Sequence, residues 1–124
     1  MHREMLNVIL VFVGGGLGCL SRYGISRLVT GPNGQTFPWA TLISNTASAI
    51  VMGIALGFFA SRIQNESIRN FLIVGFCGGF STFSTFSFET LDLVRKGNFL
   101  FAAGNIIVSI TMCLVVLAVL IRKA

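Results

Sequence analysis

The chain has 124 residues, of which 54% are hydrophobic and 10% charged, with 9 Lys+Arg against 4 Asp+Glu and a formal net charge of +5. An ordinary soluble domain carries about 25% charged residues. So few ionised groups cannot cover a water-facing surface, which excludes a soluble globular domain, a disordered chain and a secreted disulfide scaffold, and leaves a small integral membrane protein.

Charge is segregated along the chain. Uncharged runs cover residues 5–21, 28–61, 70–88 and 97–121, and a membrane-spanning helix needs about 20 mostly apolar residues. Four spans are predicted, at 6–23, 39–60, 68–93 and 99–121, within a single domain of residues 1–124. The expected fold is all-α, with the third helix broken within the membrane. The first span follows Arg3 and resembles a signal peptide, but it ends in Ser21-Arg22-Tyr23 without a small-x-small cleavage pattern, so it is expected to stay as a helix. Gly31-Pro32-Asn33-Gly34-Gln35 and the residues up to Pro38 read as a loop before the second span.

Four spans place Arg3, Arg62, Arg69, Arg122 and Lys123 on one side, and Arg22, Arg27, Arg95 and Lys96 on the other. Orientation follows an excess of Lys/Arg on the cytoplasmic side, and here the two sides nearly balance. One reading is a modest one-sided preference. The other is insertion in both orientations, which would permit an antiparallel homodimer. Small residues favour close helix contact in lipid. Gly14, Gly15, Gly16 and Gly18, Gly53 and Gly57, and Gly75 and Gly79 could serve packing within the subunit or between two copies. A four-helix bundle is thin for enclosing a polar pathway, which favours the homodimer.

The third span carries the unusual chemistry. In Gly75-Phe76-Cys77-Gly78-Gly79-Phe80-Ser81-Thr82-Phe83-Ser84-Thr85-Phe86-Ser87 the glycine pair is a poor helix interior, and hydroxyl residues crowd the stretch that follows. Hydroxyls in lipid need partners, and broken helix is tolerated at membrane depth only where it is buried or lines a cavity. A break there frees backbone groups that can bind ions. Phe80, Phe83 and Phe86 recur every third residue and would share a helical face. Such a stripe packs in a core or against lipid, or presents positive ring edges to a small dehydrated anion.

Other polar residues are isolated. Asn45 stands one turn after Thr41 in the second span and could make a packing bond between helices or a functional one. Asn105, Ser109 and Cys113 share a face of the fourth span. Arg22 either snorkels or sits at a vestibule, and Glu89 is a functional candidate unless it pairs with Arg22 or Arg95. Cys19, Cys77 and Cys113 all fall within spans, an odd number that argues against disulfides. His2 is the sole histidine, and no Cys/His or carboxylate cluster has metal-ligand spacing, so an enzyme is not expected. The cations are scattered at span ends, which points to lipid headgroups and away from nucleic acid.

Residues 78–87 closely match the signature of the small dual-topology fluoride channels, the Fluc (CrcB-type) family. Residues 14–22 resemble that family's Gly-rich first helix ending in Arg, and Thr41-Leu42-Ile43-Ser44-Asn45 resembles its Thr-Leu-x-x-Asn element. The resemblance implies an antiparallel homodimer with two fluoride pores in the bacterial inner (plasma) membrane, exporting fluoride passively. It implies a structural sodium ion (Na+) at the dimer centre, held by the backbone carbonyls of Gly78 and Ser81. The fluoride pathway would use Phe83, Phe86, Asn45, Ser84, Thr85, Ser109 and Thr41, with Arg22 and Glu89 at a vestibule or in structural roles. The chain departs from the family pattern at Ala40, at Ser48 and Ala49, and at Cys113, a position that is often Ser. Two other functions fit four spans: a proton-coupled multidrug transporter, for which only Glu89 could serve as the embedded carboxylate, and a non-transporting assembly subunit, which would leave the polar third span unexplained.

Overall fold

The structure, a computed structural model, describes residues 1–122 except Asn33 and Gln35. Two of the loop residues read above, and Lys123 of the charge count, therefore lie outside the described residues. The chain forms α1 (His2–Val29), α2 (Trp39–Phe58), a short α3 (Ala60–Ile63) and α4 (Glu66–Arg69), which runs on into a π-helical stretch, Asn70–Cys77. Then come α5 (Gly78–Phe80), α6 (Phe83–Arg95) and α7 (Phe99–Arg122). Four segments are long and apolar enough to cross a membrane: His2–Val29, Trp39–Phe58, Glu66–Arg95 and Phe99–Arg122. The fold is thus all-α and multi-pass, as the charge-free runs predict.

Local chemistry explains the boundaries. Pro38 caps α2, where its missing N–H is no loss. Asn65 caps α4, its side chain accepting from the Ser67 and Ile68 N–H groups at 3.0 and 3.3 Å. At the end of α6, Gly97 takes φ +79°, the Gly97 N–H reaches the Val94 carbonyl and the Asn98 N–H the Leu93 carbonyl. That left-handed glycine stop turns the chain directly into α7. Asn7 donates to Glu66 at 3.0 Å and Arg3 lies 3.8 Å from it, which ties the N-terminus to the start of the third span.

Neighbours are chosen in two sets. α1 lies along Asn70–Phe80, whereas α2 and α6 both pack on α7. The broken span therefore gives its first half to α1 and its second half to α7. Glycines make the α1 contact possible. A β-carbon on Gly14 would strike the Phe71 carbonyl, one on Gly18 the Phe76 carbonyl, and one on Gly79 the Gly15 carbonyl. A β-carbon on Gly75 would lie 2.9 Å from the Val11 carbonyl oxygen. Gly53 and Gly57 play the same part toward Leu120 of α7. These glycines are engaged inside the subunit, so they do not by themselves mark a surface between two copies.

One expectation needs correction. Gly78 and Gly79 do not break the third helix. They are helical, and the chain leaves the helix at Ser81 (φ −80°, ψ 156°) and Thr82 (φ −151°, ψ 117°). The physical reason is that Gly79 is needed for close approach to Gly15, a contact best served by regular helix.

Gly18→Ala should destabilise the fold by about 1–3 kcal/mol through overpacking. Gly24→Ala, whose β-carbon would meet nothing within 4 Å, should be neutral or slightly stabilising, and thermal unfolding of the two variants in detergent makes the comparison.

Candidate functional site: the helix break and its two cavities

In a continuous helix each carbonyl accepts from the N–H four residues on. At the break those donors are diverted. The Thr82 N–H, which Gly78 would have used, donates to Asn45 Oδ1 at 2.7 Å. The Thr85 N–H, which Ser81 would have used, donates to Thr82 Oγ1 at 3.3 Å. The Gly79 carbonyl accepts instead from Arg22 Nε at 3.3 Å, and the Thr82 carbonyl from Asn45 Nδ2 at 3.4 Å. Just before the break, the Cys77 carbonyl accepts from the hydroxyls of Ser48 and Ser81, both at 2.9 Å. Side chains from α1, α2 and the third span itself thus satisfy most of the broken turn, and the carbonyls of Gly78 and Ser81 are left without their helical donors.

The break also sets up opposed electrostatics. The C-terminal carbonyls of the Asn70–Phe80 half attract cations, and the first-turn N–H groups of the 13-residue α6 attract anions.

Two cavities meet here. A vestibule of about 610 Å³ is lined by Arg22, Thr41, Ser44, Thr82, Thr85 and Glu89, among others, and reaches out to Asp92 and Lys96. A groove of about 360 Å³ is lined by Asn45, Ser48, Ser81, Thr82, Phe83, Phe86, Ser109 and Cys113, with apolar residues of α2 and α7. Thr82 lines both. Of the pathway candidates, Thr41 and Thr85 face the vestibule, while Asn45, Phe83, Phe86 and Ser109 meet in the groove. Ser84 lines neither. It is exposed, with its hydroxyl 3.4 Å from Thr82 Oγ1.

The phenylalanine stripe does not exist as one face. Phe80 is buried before the break and its ring centroid lies 5.5 Å from that of Phe76, whereas Phe83 and Phe86 pair at 5.8 Å after it. The two extended residues rotate one half of the span against the other. Phe86 is buried, but Phe83 is 80% exposed on the single subunit.

Glu89 forms no ion pair with Arg22 or Arg95. Its Oε1 accepts from Thr41 at 2.9 Å and its Oε2 is buried without a partner. Arg22 lies well inside α1, which runs on to Val29, and its guanidinium turns inward to the Gly79 carbonyl.

Sequence reasoning missed Ser44 and Ser48 as parts of the site. The signal was present, since Thr41, Ser44, Asn45 and Ser48 stand at i, i+3, i+4 and i+7, a polar helical face. Asn105 is the other surprise. It leaves the groove to Ser109 and Cys113 and is fully buried, donating to Thr90 Oγ1 at 2.9 Å and accepting from Ser109 at 3.2 Å. Thr90 in turn donates to the Phe86 carbonyl at 2.8 Å. This chain of bonds fixes the backbone of α6 at Phe86 to α7.

Among the described residues no group of three or more His, Cys, Asp or Glu could hold a metal ion.

The profile of the family described as "CrcB-like protein, Camphor Resistance (CrcB)" matches residues 9–121. The chain belongs to the CrcB family. Similar proteins bear the name "Fluoride-specific ion channel FluC". The one from Ruminiclostridium cellulolyticum is 43% identical over 124 residues, covering 98% of this chain and 95% of its own. The one from Pyrococcus abyssi is 42% identical, covering 97% and 98%, and one from Coxiella burnetii is 40% identical, covering 88% and 90%. The CrcB match takes in all four spans, so the break, both cavities and the Asn105 lock of this CrcB chain lie inside the family's common region.

Asn105→Ala should lower stability by about 1–3 kcal/mol, because it strands the buried Ser109 hydroxyl and removes the donor to Thr90. In a double-mutant cycle Thr90→Val should add much less in the Asn105→Ala background than in the wild type, as read by the thermal midpoint in detergent.

Proposed function

We propose that this chain is a fluoride-selective channel of the bacterial plasma membrane, working as an antiparallel homodimer with two pores and exporting fluoride passively. The observation that carries the reading is the groove where the Phe83–Phe86 pair meets Asn45 and Ser109, beside a hydroxyl-lined vestibule. Fluoride is small and strongly hydrated. A site that strips its water must return several hydrogen-bond donors or positive ring edges. Among the described residues no charged side chain lines the groove, so an anion held there is not trapped by a full opposite charge, as conduction requires. The similar proteins named as fluoride-specific channels support the same ion.

Two copies are part of the proposal. A ring 80% exposed at the mouth of a groove lacks a second wall in one subunit, and a second copy of opposite orientation would supply it. The near-balance of cations across the two sides supports dual insertion.

The residues at the break also fit a sodium ion. The carbonyls of Gly78 and Ser81 have lost their helical donors and would hold it between the two subunits. When bound, sodium supplies a fixed positive potential without a mobile side chain. The remaining work belongs to the chain: Arg22 and the α6 N-terminus add positive potential to an approach that also holds Glu89, Ser44 and Thr85 offer hydroxyls in the vestibule while the Thr41 hydroxyl is committed to Glu89, and Asn45 and the rings receive the ion in the groove.

Purified protein in liposomes should release fluoride rapidly, measured by a fluoride electrode, and chloride far more slowly. Equal release of both ions would reject selectivity. Phe83→Ile and Phe86→Ile should each slow fluoride efflux by about tenfold or more while the protein keeps its size-exclusion profile. Unchanged efflux in both variants would remove the ring-edge mechanism.

A further inference from the structure

The Asn45 carboxamide is oriented by a group that can only donate. The atom 2.7 Å from the Thr82 N–H is Oδ1, because the amide nitrogen could not accept there. The bond on the other side, Nδ2 to the Thr82 carbonyl, is long at 3.4 Å and correspondingly weak. The firm commitment of Asn45 is therefore its acceptor, and its N–H2 end retains capacity for another acceptor. The firm bond also takes away the donor that would close the helix onto Gly78. Thr82 does the same one turn on through a longer bond: its hydroxyl accepts at 3.3 Å from the Thr85 N–H, which would otherwise close onto Ser81, and donates to Thr85 Oγ1 at 3.1 Å.

The two diverted donors correspond to the two carbonyls, Gly78 and Ser81, at which the proposed function places sodium. We propose that Asn45 Oδ1 and Thr82 Oγ1 are positioning residues of that cation site: they hold the third span open, and so keep the Gly78 and Ser81 carbonyls free to bind a monovalent cation. Asn45 then links the two ions. Its oxygen maintains the cation site, while the same residue lines the groove and keeps donor capacity at its nitrogen. This inference rests on the sodium reading above.

The two ends of Asn45 can be separated by substitution. Asn45→Asp keeps an oxygen for the Thr82 N–H but loses the N–H2 donor and adds negative charge. Asn45→Ala loses both. Thr82→Val removes the hydroxyl at nearly constant shape, and Thr82→Ser restores it. The measurements are equilibrium binding of radioactive sodium to the purified detergent-solubilised protein, fluoride efflux from liposomes, and size-exclusion elution as the check on assembly. We expect saturable sodium binding in the wild type. It should be weakened about tenfold or more in Asn45→Ala and Thr82→Val, and largely retained in Asn45→Asp and Thr82→Ser, although Asn45→Asp loses fluoride efflux. Wild-type sodium affinity in Asn45→Ala or in Thr82→Val would overturn the inference, as would loss of sodium binding in Asn45→Asp equal to that in Asn45→Ala. A wild type that conducts fluoride yet binds no sodium would overturn the cation reading and this inference with it, leaving the channel reading in place.

Discussion

A backbone amide or carbonyl released inside a membrane has no water to turn to and must be met by another group of the protein. At Ser81–Thr82 that requirement organises the molecule. Asn45 reaches across from α2, Arg22 from α1, and Thr82 folds back on its own helix. Each of those side chains is placed by packing elsewhere. α1 comes close enough for Arg22 only because glycines line its contact with Asn70–Phe80, and α2 holds Asn45 in place while its Gly53 and Gly57 seat it on α7. Removing any one of these supports exposes polar backbone at a depth where it is costly.

The same break separates charge. A cation-attracting carbonyl end and an anion-attracting amide end stand side by side, with Thr82 between the vestibule and the groove. A continuous helix would cancel these groups against each other. The groove draws its electrostatic character from peptide dipoles in place of a lysine or arginine. Two further constraints keep the arrangement rigid: Thr41 holds Glu89, and the Asn105–Thr90 bond pins α6 to α7 beside Phe86.

The glycines illustrate how one feature can be legible and still be misread. Gly75 and Gly79 stand at small-xxx-small spacing, and Gly78-Gly79 is also weak helix. The first property decides the outcome, since Gly79 sits against the Gly15 backbone. The chain departs from the helix only after that contact is complete. The π-helical winding of Asn70–Cys77 has no mark in its apolar sequence. Wider winding changes the phase at which later residues emerge, and this stretch is the one that lies along α1.

What the sequence by itself determined is the part governed by the bilayer: four spans, their approximate ends, and a third span too rich in hydroxyls to be mere packing. Those follow from length and transfer free energy, which are properties of each segment alone. It also placed Asn45, Phe83, Phe86 and Ser109 among the candidates, and the fold brings these together in one groove. Only the tertiary structure decided where the helix breaks, that Phe80 parts from Phe83 and Phe86, that Arg22 turns inward, and that Asn105 locks α6 to α7. Each of those outcomes depends on a hydrogen bond or a close contact between residues distant along the chain, and local propensity contains no term for such a partner.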